Sequence, residues 1–138
     1  MKKLLLIIIC LFFSYEVKSK TIFTCGSSKG YLHGFNGKNF EKDGIKDGMF
    51  TLRKTNDGWD FGFVDHFQEF TSVKDMNGEI TVIDLKEQIL VSIFYGVGVW
   101  EKYQLNKDSG LMIWTSHRFN GTMFDSVKIM KSKCTYSG

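Results

Sequence analysis

This 138-residue chain contains no proline. It also has little excess of either charge, with 18 basic and 15 acidic residues. The missing proline excludes collagen-like and polyproline segments, which depend on that residue. A charged fraction of 24% beside 15% aromatic residues argues against a disordered chain and against a coiled coil. These absences leave a single globular domain as the expected organisation.

Long apolar runs are also scarce, and the one present, residues 4–13, follows a short basic start. Ten residues rise only about 15 Å in a helix, half of the roughly 30 Å hydrocarbon core of a bilayer. With Val17 and Ser19 at the −3 and −1 positions, the pattern predicts a secretory signal peptide over residues 1–19. We therefore expect an exported domain, residues 20–138, without a membrane span after cleavage, in the periplasm or outside the cell.

Removing that segment leaves 15 basic and 14 acidic residues, which is close to neutrality. Nucleic-acid-binding proteins hold phosphates with a basic patch or stripe. The densest cationic cluster here, Lys128, Lys131 and Lys133, alternates with apolar residues and is interpreted as the solvent face of a strand. The sequence therefore predicts no nucleic-acid partner.

Of the three cysteines, Cys10 leaves with the signal and Cys25 and Cys134 remain. A pair in an exported chain most often forms a disulfide because the compartment is oxidising. The alternative, a thiolate metal site, lacks a CxxC spacing or a neighbouring histidine. We predict a Cys25–Cys134 disulfide, no metal and no cofactor.

The mature chain shows strand patterns and no long amphipathic helix, since no segment keeps apolar residues at helical spacing for three turns. Short apolar runs are separated by turn residues such as Asn56-Asp57-Gly58, Asn77-Gly78 and Asn120-Gly121. The runs cover residues 21–25, 49–54, 59–65, 80–85, 89–95, 99–105, 111–118 and 126–134. They predict an all-β fold.

The expected architecture is a small antiparallel up-and-down barrel of about eight strands, in which the first strand pairs with the last. A two-sheet β-sandwich fits the same pattern and is the alternative. Residues 26–48, with six glycines, are predicted to form a long surface loop with a short extra strand or turn. The 89–95 run is apolar on both sides, so we expect this loop to cover Leu90 and Phe94; otherwise they form an exposed contact surface.

No catalytic motif is present: the chain has no GxSxG, no HExxH and no cysteine beside a histidine. Its three histidines, His33, His66 and His117, lie apart in the sequence. We therefore predict that the protein is not an enzyme.

Candidate binding residues are the three tryptophans, Trp59, Trp100 and Trp114, together with Glu101 and His117. If Glu101 and His117 point inward, they are polar groups at a cavity mouth, as a small-ligand site requires. In the other register the two later tryptophans point into the core and the charges are solvated. We favour the second arrangement.

Several short motifs, namely Asp57-Gly58-Trp59-Asp60 with Phe63 and Asp65, the strand from Val97 to Tyr103, Trp114-Thr115-Ser116 and Cys134, resemble small secreted proteins of unknown function from Gram-negative bacteria. The resemblance implies the periplasm or the exterior and brings no active site. In architecture the chain is also similar to periplasmic lysozyme inhibitors and to lipocalin-like carriers, although it lacks the GxW start of the carriers.

The function expected from the sequence is an exported, non-enzymatic binding module whose partner is an unknown protein or a small apolar molecule. One alternative is a hydrolase acting on an envelope component, with His117 or Glu101 as its acid or base. The other alternative is a structural envelope protein.

Overall fold

The structure is a computed structural model, and it describes residues 19–34, 41–45, 49–64, 67, 69–96, 98–119 and 125–138. Residues 1–18 of the predicted signal and the predicted Asn120-Gly121 turn lie outside this part of the chain. Ten strands and one short 3₁₀ helix are described. In chain order they are β1 (Lys20–Gly34), β2 (Glu41–Ile45), β3 (Met49–Thr55), β4 (Gly58–Val64), β5 (Phe70–Ser72), the 3₁₀ helix Lys74–Met76, β6 (Gly78–Asp84), β7 (Gln88–Tyr95), β8 (Val99–Asn106), β9 (Leu111–Arg118) and β10 (Ser126–Tyr136).

The fold is all-β and antiparallel, as predicted, and each of the eight runs forms a strand. The strands follow one another in the sheet in the order β5-β4-β3-β1-β10-β9-β8-β7-β6, and β2 also pairs with β1. One continuous sheet curls into a half-barrel, which corresponds to the predicted barrel rather than to the two sheets of a sandwich. The first and last strands are hydrogen-bonded neighbours.

β2 and β3 share one place in the sheet, beside β1. β2 and β3 pair one after the other with β1, along the edge opposite β10. β5 pairs with β4, and after the 3₁₀ helix the chain continues as β6, which pairs with β7. Nine of the ten described strands follow one another in the sheet, with β5 and β6 at its two ends. Within the described residues no strand pairing joins β4 to β6. The backbone N–H of Val73, which follows β5, donates to the carbonyl oxygen of Phe61 on β4 at 2.8 Å.

The predicted loop at residues 26–48 is wrong in its first part, where β1 continues to Gly34 and β2 returns beside it. Its glycines resemble a loop in composition, but Gly30 lies against β10, where a Cβ atom would come within 2.8 Å of Met130 Sδ. The described part of this hairpin pairs with β10 and not with β7. It therefore does not cover Phe94, whose side chain is 50% exposed.

Aromatic side chains fill the inside of the curl. The rings of Phe61 and Tyr103 lie 4.6 Å apart, and Trp114 stacks on Tyr103 with its centroid at 5.6 Å. Phe50 closes the group at 5.6 Å from Trp114. Aliphatic side chains from β1, β3, β7, β8 and β9 complete the core around these rings.

The predicted disulfide is in place, because Cys25 on β1 lies directly opposite Cys134 on β10. Their Cα atoms are 3.9 Å apart and their sulfur atoms are at bonding distance. Both residues belong to the buried core. The Sγ atom of Cys25 also lies 3.5 Å from Sδ of Met112. The covalent link therefore joins the first and last strands inside the molecule.

Candidate functional site

The two faces of the sheet separate the candidate residues in a way that corrects the predicted register. On β8 and β9, Tyr103 lies opposite Trp114, while Trp100 lies opposite His117. Directly paired residues share a face, and successive residues alternate between faces. Trp114 is therefore in the core, as favoured, at 4% exposure, whereas Trp100 points outward and is 41% exposed.

Glu101 and His117 consequently lie on opposite faces of the sheet. Glu101 shares the inner face with Tyr103, whose hydroxyl donates to Glu101 Oε2 at 2.7 Å. His117 is outside, with its ring 6.1 Å from that of Trp100 and 6.1 Å from that of Phe119. An acid and a base on opposite faces cannot act together on one bond, which weakens the hydrolase alternative.

Burial perturbs two tyrosines beside Glu101. It raises the pKa of Tyr103 well above the ordinary value of 10.0, with a further contribution from the nearby Glu101 carboxylate. Burial first, and Glu101 second, also raise the pKa of Tyr95 to about 12, while Arg118 opposes the shift. Opposite Glu101 lies Ser116, a buried residue whose hydroxyl has no hydrogen-bond partner in the described part of the chain. These groups form the polar end of the interior.

The other two tryptophans contribute to packing on the inner side. Trp114 donates from Nε1 to the Ser28 hydroxyl at 3.0 Å, and the Ser28 and Ser132 hydroxyls are hydrogen-bonded to each other. Trp59 is half-buried against the core, with Lys54 Nζ 5.3 Å from its ring centre. Of the five candidate residues, the structure brings Trp100 and His117 together outside and places the others within.

A groove of about 410 Å³ runs over the outer face of β6 to β9. Its lining includes aliphatic side chains from β6, β7 and β9, with Gln104 of β8 between Leu90 and Ile113, and it also carries short polar side chains and one lysine. We call this the outer groove; its lining residues are Thr81, Ile83, Leu90, Val91, Ser92, Lys102, Tyr103, Gln104, Ile113 and Thr115. The volume falls in the range of small-molecule sites, about 300 to 1,000 Å³.

Trp100 is held at the border of the outer groove by two of its lining residues. Its Nε1 donates to the Ser92 hydroxyl at 2.9 Å, and Lys102 Nζ lies 3.9 Å from its ring centre, a cation–π distance. The indole is thereby fixed along the sheet surface.

Sequence reasoning identified Leu90 and Trp100 near this site but missed Ile83, Lys102 and Ile113. The sequence did contain a signal for them, namely apolar residues on both faces of a strand, which had already singled out residues 89–95. The 111–114 segment, with Leu111, Met112, Ile113 and Trp114, carries the same signal. Two strands of one sheet, β7 and β9, that are apolar on both sides indicate an outer apolar surface as well as a core.

Two kinds of site find no support within the described residues. No three His, Cys, Asp or Glu side chains there are grouped as a metal ion would require. None of the described helical residues belongs to a helix long and apolar enough to cross a membrane.

Comparison with protein-family models, with curated proteins and with solved structures found no match to the chain. The resemblance to small secreted bacterial proteins therefore stays a prediction.

Proposed function

We propose that this protein is an exported, non-enzymatic binding module that holds a small apolar molecule in the outer groove. The proposal depends on one observation, an open and largely apolar groove of about 410 Å³ on a sheet whose inner side is filled with aromatic rings. Export is supported by the signal-like start of the sequence and by the buried Cys25–Cys134 pair.

The outer position of the groove distinguishes this proposal from a lipocalin-like carrier, in which the ligand would lie inside the barrel. Phe50, Phe61, Tyr103 and Trp114 occupy the interior here, with ring centres about 5 to 6 Å apart. On the outer face, Ile113 on β9 is 47% exposed, and Ile83 on β6, three strands away, is exposed as well. Covering exposed aliphatic side chains contributes about 25 cal/mol per Å² of apolar surface, which favours a ligand there.

Titration calorimetry with a neutral single-chain amphiphile, dodecyl maltoside below its micellar concentration, tests the proposal. We expect saturable one-to-one binding and reduced acrylamide quenching of Trp100, because the ligand covers the groove beside its ring. The variant Ile113→Gln should lose most of this affinity, since it places an amide on the floor of the groove.

The matched control is Ile129→Gln. Ile129 points outward on β10 and is 46% exposed, nearly the same as Ile113, but it does not line the groove. We expect this variant to bind as the wild type does. If both variants bound as the wild type does, the groove would not be the binding site. A protein partner would then explain the exposed face better.

A further inference from the structure

The outward charges on β7 to β10 are of one sign, and this bears on what the outer groove holds. Outward-facing positions on β8, β10 and the second half of β1 carry four exposed lysines, Lys102, Lys131, Lys133 and Lys29. Among the described outward positions of β7 to β10 there is no aspartate or glutamate. The near-neutral net charge of the chain therefore conceals a cationic face.

The strand register places these lysines beside the groove rather than around the molecule. Ile113, on its floor, is paired with Lys131, and Lys131 is paired in turn with Lys29. Neighbouring strands are about 4.8 Å apart, so the two ammonium-bearing residues lie about one and two strand spacings beyond the aliphatic floor. Lys102 approaches from within the lining.

The nearest outward acidic residue on this part of the sheet is Glu79, at the opposite side. It is on β6 and pairs with Phe94, several strands from Lys131. Asp84, at the end of β6, forms a salt bridge with Lys107, whose Nζ lies 2.7 Å from Asp84 Oδ1. Glu79 thus lies at the β6 side of the groove and Lys131 at its β10 side, which gives a molecule lying along it a preferred direction.

We propose that the occupant of the outer groove is a single-chain anionic amphiphile, a molecule with one acyl chain and a carboxylate, sulfate or phosphate head. The chain lies on Ile83, Leu90 and Ile113, and the head lies toward Lys131 and Lys102. This inference rests on the proposed function and adds the charge and direction of the ligand. A floor of branched aliphatic side chains favours an acyl chain over the flat bases of a nucleic acid, which bind by stacking on aromatic rings.

The test compares three probes with the same chain and different heads: dodecanoate, dodecyl maltoside and dodecyltrimethylammonium, each below its micellar concentration. Calorimetry on the mature, disulfide-bonded protein should give the tightest binding for dodecanoate, about ten-fold or more over the neutral probe, and the weakest for the cation. Added salt should reduce the preference because it screens exposed charges.

Variants locate the head group. Lys131→Gln and Lys102→Gln should each weaken dodecanoate binding about five-fold, the factor expected for one charge pair near 4 Å in water. Lys131 lies outside the groove lining, so Lys131→Gln should leave the neutral probe unchanged. Lys74→Gln is the matched control, because Lys74 is an exposed lysine on the 3₁₀ helix, away from this face. It should alter neither affinity.

The outcomes separate the two proposals. Equal affinities for the three probes would overturn the anionic preference and leave the proposed function standing. Absence of binding by all three would overturn both. A dodecanoate preference that survives in Lys131→Gln and in Lys102→Gln would overturn the assigned direction. Binding to anionic phosphatidylglycerol vesicles without binding of monomeric dodecanoate would also overturn the inference, since the face would then dock on a bilayer.

Discussion

Two inward-facing tyrosines, Tyr95 and Tyr103, set the alkaline limit of this fold. Burial is the main cause of both pKa shifts, since it disfavours the charged phenolate, and the Glu101 carboxylate adds repulsion. In the unfolded chain each phenol ionises near its ordinary value of about 10. The folded protein keeps these protons to a higher pH, and for Tyr95 to a pKa of about 12.

The sign of the pH dependence follows from which state holds more protons. Below pH 10 both states keep the phenol protons, and the stabilisation is complete. Between about pH 10 and 12 the unfolded state loses them first, so the free energy of unfolding falls as the pH rises. Urea denaturation at a series of pH values from 8 to 12 measures this slope.

The double variant Tyr95→Phe/Tyr103→Phe should flatten the alkaline slope even if it lowers stability at neutral pH, where Tyr103 no longer donates to Glu101. Tyr31→Phe is the control, because Tyr31 is an exposed tyrosine on β1. An unchanged slope in the double variant would contradict the assignment.

At the scale of strands, the β4–β5 pairing depends on glycine at position 62, which has no side chain. The Phe70 ring extends from β5 over this glycine and is covered from the other side by the Arg53 guanidinium, 3.6 Å from the ring centre. A Cβ atom at Gly62 would lie 2.7 Å from Phe70 Cζ, and it would also overlap the Thr71 carbonyl oxygen. Backbone and ring must both move to admit a methyl group.

We therefore expect Gly62→Ala to lower the free energy of unfolding by about 1 to 3 kcal/mol, the usual cost of overpacking. Urea denaturation measures the change, with Gly34→Ala as the control. Gly34 ends β1, and a Cβ atom there meets nothing within 4 Å, so the alanine should be neutral or slightly stabilising. Equal midpoints for the two variants would contradict the packing argument.

The strands also show how far the sequence determines this fold. Period-two alternation and turn residues located all eight predicted runs because each buries one face against a common core. β5 was missed because three residues are too few to show a period. β2 was anticipated only as a short extra strand or turn within residues 26–48, because its charged, glycine-containing sequence Glu41–Ile45 is typical of a loop. Its pairing with β1 is decided by partners distant in sequence.

The site was harder to predict because it depends on the register between strands. Trp100 and Trp114 were assigned to one face, yet the β8–β9 hairpin pairs Tyr103 with Trp114 and so turns Trp100 outward. That pairing is set by the turn at residues 107–110, where Gly110 has a φ of 64° and a Cβ atom would meet the Cys134 carbonyl oxygen. Alternation within each strand cannot show which faces of two strands coincide.

At the scale of the whole molecule, the inner face of the sheet forms the core and the outer face carries the proposed binding site. The inner face carries the aromatic cluster and the disulfide, while the outer face of β6 to β9 carries the outer groove. Each strand contributes to both faces at alternate residues. Stability and binding can therefore be perturbed separately, and removing the disulfide provides a test.

The disulfide closes a loop with a sequence separation of 109 residues, for which the chain-entropy model gives about 4 to 5 kcal/mol as an upper figure. We expect Cys25→Ala/Cys134→Ala to lose about 2 to 5 kcal/mol of unfolding free energy in guanidinium denaturation. The β1–β10 ladder continues beyond the cysteines to the Gly34–Ser126 pair, so the variant should keep its far-ultraviolet circular dichroism.

Dodecyl maltoside affinity should also be unchanged in this variant, because the outer groove lies on β6 to β9 and the disulfide joins β1 to β10. A reductant should lower the midpoint of the wild type and leave that of the variant where it is. Equal midpoints for the oxidised wild type and the variant would refute the stabilising role of the disulfide. Loss of amphiphile binding in a folded variant would show that the two faces are coupled, because a groove that is independent of the disulfide should bind equally well without it.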